Sequence, residues 1–144
     1  MNVERFTQRS QQALVAAQRD ASSRAHQQIA PEHLLLALLA DPDGVVSGVL
    51  ARLGHQPAQV RAEVEEALQR LPRAYVGAQT PQQAQVGPSL ARVLERAEEE
   101  MRTLSDEYVS TEHLLLAMLD TPVLRALGVD RDGVLRVLAE VRGS

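Results

Sequence analysis

The sequence predicts an all-α fold: one domain of eight helices, built as two four-helix repeats related by a pseudo-twofold axis. Three observations lead there. The octapeptide Glu32-His33-Leu34-Leu35-Leu36-Ala37-Leu38-Leu39 returns at Glu112 to Leu119 with only Met118 changed, an offset of 80, and a chain that repeats itself at a fixed distance is a duplicated structural unit. Apolar residues through most of the chain recur at spacings of three, four and seven, the stripe of an amphipathic helix. Pro31, Pro57, Pro88 and Pro122 stand where helices open, since the first helical position has no intrahelical use for an N–H.

The first helix runs from Thr7, its N-cap, to about Ser23, with Ala13, Leu14, Ala17 and Ala21 along one side. The second opens at Pro31 and carries Leu34, Leu35, Leu38 and Leu39 until Asp41-Pro42-Asp43-Gly44 breaks it. Its apolar density predicts a buried helix. Val45 to Leu53 gives a third, with Val46, Val49, Leu50 and Leu53 on one face and Gly54 as its stop. A fourth starts at Pro57, passes through Val60, Val64, Ala67, Leu68 and Leu71, and ends at Pro72. Repeat one is therefore 1–72. Residues 73–87 are rich in proline, glycine and glutamine, carry no helical stripe, and exceed the roughly 2–8 residues usual between bundle helices, so they read as a linker or a functional loop.

The pattern restarts at Pro88, where Leu90, Val93, Leu94, Ala97, Met101 and Leu104 mark a fifth helix. Leu94 matches Leu14, and Ala97 matches Ala17. Ser110 is expected to cap the second Glu-His helix, Pro122 to Leu127 forms a short helix stopped by Gly128, and Asp130 caps a last helix through Val134, Val137, Leu138 and Val141. Gly128 matches Gly54 at an offset of 74, so the second copy lacks six residues between its second and third helices. Repeat two is 88–144. Helices this short are marginal in isolation, so the two leucine-rich helices are expected to share one core.

Composition removes several function classes. Without cysteine there is no disulfide and no thiolate chemistry, as suits a reducing cytoplasm. All 15 basic residues are arginine, so the P-loop lysine is absent and Schiff-base chemistry with it. A net charge of −4 with mixed signs, and only Phe6, Tyr75 and Tyr108 as aromatics, offer no basic stripe or stacking platform for nucleic acid. No apolar stretch approaches the roughly 18–20 residues that span a bilayer, so no membrane partner is expected.

The chemistry-bearing residues read as structural. Glu32 and Glu112 sit in the first helical turn, where the helix dipole favours a carboxylate. His33 and His113 lack a second histidine one turn on, Ala37 and Ala117 standing there instead, and His26 and His55 show no ligand spacing. They are expected to brace helix starts, with no metal. Glu98-Glu99-Glu100 is expected on a solvated face. With no nucleophile–base pair, the chain is not expected to be an enzyme and needs no cofactor.

Glu4-Arg5-Phe6-Thr7, the paired Glu-His-Leu-Leu-Leu-Ala motifs, Leu71-Pro72, Ser89-Leu90-Ala91-Arg92-Val93-Leu94 and Asp106-Glu107-Tyr108-Val109-Ser110, in that order, resemble the double-repeat Clp N-domain family, in particular its ClpB disaggregase branch. The resemblance covers essentially the whole chain. It implies an N-terminal domain that engages unfolded or aggregated polypeptide and passes it to a hexameric ATPase ring, with ATP and magnesium bound in modules outside this sequence. It also implies substrate handling by Thr7, Asp106 and Glu112 beside an apolar groove, for which Leu94, Leu104 and Tyr108 are expected. The alternative is the ClpC or ClpA branch, which docks adaptor proteins. In the ClpC type, phosphoarginine sites would pair Thr7 with Glu32 and Glu112 with position 87; the latter is Gly87, where that pattern has threonine.

Overall fold

The computed structural model describes residues 3–73 and 83–142. Eight helices follow in order: α1 Gln8–Ser23, α2 Pro31–Leu39, α3 Val45–Arg52, α4 Pro57–Gln69, α5 Pro88–Thr103, α6 Thr111–Ala117, α7 Pro122–Ala126 and α8 Arg131–Arg142. The leucine-rich helices α2 and α6 lie at the centre. Leu34, Leu35, Leu39, Leu114, Leu115 and Met118 are fully buried; α1, α3 and α4 pack against α2, α5 and α3 against α6, and α8 adds its buried stripe against α3. Truncating one such leucine to alanine costs about 2–5 kcal/mol, which makes this shared core the main stabilising element.

Helix ends follow the chemistry of their residues. Thr7 caps α1 by accepting the Ser10 N–H at 3.2 Å, and Asp130 caps α8 by accepting the Gly133 N–H at 2.8 Å. Gly54 and Gly128 leave α3 and α7 in left-handed conformation, φ 90° and 75°. The N–H groups of His55 and Val129 then reach back to Leu50 and Leu124 carbonyls, the doubled bond of a Schellman stop. Ala25 and Ser105 end α1 and α5 the same way, at φ 61° and 60°, without being glycine. Helix α4 stops at Gln69, short of Pro72.

Sequence reading missed one element, a pair of two-residue strands. Strand β1, Gln28–Ile29, runs parallel to β2, Gln85–Val86, with Gln28 opposite Gln85 and Ile29 opposite Val86. A parallel bridge between Phe6 and Val109 is its counterpart at an offset of 80. The hydrogen bonds repeat as well: Thr7 N–H donates to Val109 O at 3.0 Å, and Gly87 N–H to Ile29 O at 3.2 Å. Each repeat thus sends the segment before its first helix to pair with the segment before the other's second helix. This exchange makes the pseudo-twofold explicit. Two residues per strand are too few for period-two patterning to show. Residues 74–82 of the expected linker lie outside the described residues, but Ala84 is buried and hydrogen-bonds Ser22 Oγ through its N–H.

Glu100 also departs from expectation. It is nearly buried and takes both Nε and Nη2 of Arg131, at 3.1 and 2.6 Å, which fastens α8 to α5. The acidic run is therefore split between solvent and an interhelical ion pair.

Candidate functional site

The two histidines of the repeated motif are fully buried and occupy equivalent places with different partners. Each Nδ1 accepts an N–H at the start of its helix, from Ala30 to His33 and from Ser110 to His113, both at 2.8 Å. Ser110 holds the N-cap position, yet its side chain makes no cap bond to the backbone; the histidine reaching back does that work. With Nδ1 an acceptor, each ring carries its proton on Nε2 and donates outward. His33 donates to His26 Nδ1 at 2.8 Å, and His113 donates to Asp106 Oδ2 at 2.7 Å. His26 and Asp106 are themselves equivalent at the offset of 80.

Burial and the neighbouring His26 push His33 down to about 4, and burial also lowers His26, so the pair is neutral. Burial opposes ionisation of Asp106, but hydrogen bonds from His113 and Arg142 outweigh it and hold its carboxyl below the usual carboxylate range. Arg142, at the end of α8, joins Asp106 Oδ2 at 3.0 Å to Glu112 Oε2 at 2.7 Å. Asp106 and Glu112 therefore share one guanidinium. Thr7 enters the same region through the backbone: its N–H and the Ser10 hydroxyl both donate to Val109 O, at 3.0 and 2.9 Å.

The expected groove residues separate. Leu94 is 6% exposed and belongs to the core, on the buried stripe of α5. Leu104 is half-buried at the end of α5 and packs against the core, while Tyr108 is 54% exposed. An apolar cleft of about 260 Å³ instead opens between α1 and the β2–α5 segment, lined by Val3, Leu14, Val15, Ile29, Val86 and Leu90 and edged by glutamines. Leu14 is the counterpart of Leu94. The two copies differ just outside them: Val15 and Gln18 answer to Glu95 and Glu98, so repeat one keeps this face free of charge where repeat two does not. Sequence reading placed Leu14 in the core stripe and passed over Val15 and Val86; the signal available was Val15, an exposed apolar residue between Gln11 and Gln18.

A larger cleft of about 380 Å³ lies between α1 and the α2–α3 turn, floored by Ala13, Ala16 and Ala37 and crossed by the exposed Arg9–Asp41 ion pair. Glu32 is half-buried at the start of α2. Gly87 caps α5 in an ordinary extended conformation, but a Cβ there would stand 3.0 Å from Gln28 Oε1 and 3.1 Å from its Cβ. No group of three or more metal-binding side chains occurs among the described residues, and none of their helices is long and apolar enough to cross a membrane.

Two copies of one four-helix unit, closed by exchanged strands around a common core, define a double-repeat helical domain. Residues 5–128 match the family model described as the Clp repeat (R) N-terminal domain, and the chain belongs to that family. The ClpB chaperone protein of Nitratidesulfovibrio vulgaris is 36% identical over 151 residues, an overlap that takes in 100% of this chain and 18% of that protein. The chain thus spans less than a fifth of such a relative's length. The N-terminal domain of Hsp104 from Candida albicans has the same fold, with a TM-score of 0.81 at 23% identity over 98% of this chain and 93% of that one. A ClpV N-domain solved in complex with a VipB peptide gives a TM-score of 0.79 at 23% identity, covering 95% of this chain and 86% of that one.

Proposed function

We propose that this chain is the polypeptide-binding N-terminal domain of an ATP-driven protein disaggregase of the ClpB type, working in the cytoplasm. In this reading it engages unfolded or aggregated chains and hands them to a hexameric ring whose ATP and magnesium lie in modules beyond this sequence. The observation that carries the reading is the uncharged apolar cleft between α1 and the β2–α5 segment, with Val15 47% and Val86 38% exposed on its borders. Apolar side chains left in water beside a preformed concavity fit a ligand that is itself apolar and recognised without fixed polar partners. The ClpV N-domain relative, which holds a VipB peptide, supports polypeptide as the ligand class. Asp106 and Glu112, gathered by Arg142, supply a polar patch, with Thr7 tied to Val109 through its N–H.

The adaptor- or phosphoarginine-binding alternative draws no support from position 87, where glycine stands in place of the threonine that the second such site would use and where a side chain would have to displace Gln28. An NMR titration with permanently denatured casein tests the proposal. Shifts are expected at Leu14, Val15, Val86 and Leu90, and Val15→Glu should weaken them about fivefold or more by burying a charge. Shifts confined to Thr7, Asp106, Glu112 and Tyr108 would move the site to the region around Asp106 and Glu112, and no shift anywhere would remove the function.

A further inference from the structure

The two exchanged strand pairs are equivalent in position but not in how their outer edges end. In the pair β1–β2, Gln85 and Gly87 donate to Gln27 and Ile29, so these residues turn their backbone groups toward β1 and Val86 turns its own away. The counterpart of Val86 is Phe6, whose outward groups are both satisfied within the chain: Phe6 N–H donates to Val3 O at 3.0 Å, and Phe6 O accepts from Gln11 Nε2 at 2.9 Å. At Val86 neither device is present. Position 91, which answers to Gln11, is alanine, and among the described residues neither the N–H nor the C=O of Val86 has a hydrogen-bond partner.

We propose that β2 is an open edge onto which an extended, uncharged polypeptide segment adds as a further strand, the ligand's backbone meeting the N–H and C=O of Val86. This rests on the polypeptide-binding reading and specifies its geometry. Phe6 shows what an occupant has to supply, an acceptor for the N–H and a donor for the C=O, and one residue of a strand supplies both. Ile29 and Val86 are opposite one another and both line the cleft, so they present a common face to it. Alternate side chains of an added strand fall on that same face and reach Leu14, Val15 and Leu90. The charge pattern selects the occupant. The cleft is lined by apolar residues and glutamines with no ionisable side chain, so a charged ligand residue would lose its hydration with nothing in return. Backbone pairing also accounts for tolerance of sequence, since every unfolded chain carries the same amide groups.

The test is binding of acetyl-Thr-Val-Leu-Val-Thr-amide to the full chain, followed by NMR with amide hydrogen exchange. Saturating peptide is expected to slow exchange at the Val86 N–H severalfold. Val86→Pro, which removes the N–H at an extended position with no internal bond to lose, should weaken binding about fivefold. Val86→Ile, which keeps the N–H, should stay within about twofold. If the peptide binds but Val86 exchange is unchanged, or if a folded Val86→Pro chain binds as wild type, strand addition is wrong while cleft binding stands. If the peptide does not bind, both fall. A Val86→Pro chain that loses amide dispersion leaves the exchange measurement to decide.

Discussion

Acidification from pH 7 to 4 should destabilise the domain through the buried pair His26–His33, with most of the loss falling above pH 5, ahead of the range in which free carboxylic acids titrate. His33 donates through Nε2 to His26 Nδ1 while its own Nδ1 takes the Ala30 N–H, so an added proton on either acceptor nitrogen sets two N–H groups against each other. His33 has no exposure through which water could relieve this. Arg24 disfavours protonation of both rings and Asp20 favours it, but burial dominates. With His33 at about 4 in the folded state and 6.5 unfolded, the unfolded chain binds more protons below pH 6.5, and stability falls with pH until it levels near 4. The loss is about 2 kcal/mol from pH 7 to 5 and about 3 kcal/mol by pH 4. Asp106, held below its usual value, adds a further loss only once its unfolded carboxyl protonates, below about pH 4. Urea unfolding at half-unit pH steps gives the curve, and the His33 Cε1–H resonance assigns it. A flat stability between pH 7 and 5, or a His33 resonance titrating near 6.5 in folded protein, would refute the reasoning.

Ala25→Gly and Ser105→Gly should each stabilise by about 0.5–1 kcal/mol in calorimetry, since both residues occupy left-handed conformation at a helix stop. Glu100→Gln should cost about 1–2 kcal/mol in urea unfolding by leaving Arg131 without its carboxylate, and amide exchange should quicken along α8. Arg142→Ala should raise the Asp106 titration midpoint seen by carboxyl 13C NMR while costing only about 1 kcal/mol or less, because the guanidinium is about a third exposed.

The helices were legible because each is announced twice, by an apolar stripe and by a start or stop residue, and the octapeptide then fixed the duplication. Thr7, Asp130, Gly54 and Gly128 do what their residue types predict. Ala25 and Ser105 carry no such mark, since neither residue type favours positive φ; the 80-residue offset alone relates them. Glu100 was misplaced because a helical wheel records which side a residue faces and not which later helix arrives there. The cleft was hidden for a related reason. Leu14 and Leu94 hold the same place in their stripes, each with an alanine three residues on, and the stripe alone does not separate a rim residue from a core residue. Asp106 and Glu112 were named from family resemblance, whereas their common partner Arg142 lies 30 residues beyond Glu112 and gave no sign in the sequence.

The exchanged strands bear on how such a molecule folds and how it arose. Ser10 and Val109 meet across 99 residues, so closing the domain requires ordering nearly the whole chain, and folding should be slower than in bundles of comparable size held by local contacts. Neither half can complete its own pairing. A single repeat expressed alone would hold one member of each pair and would satisfy both by meeting a second copy of itself, Phe6 of one taking the place of Val86 beside Ile29 of the other. The present chain has the form of such a symmetric dimer fused end to end. Once fused, its two edges were free to diverge, one closed by Gln11 and the other left open at Val86.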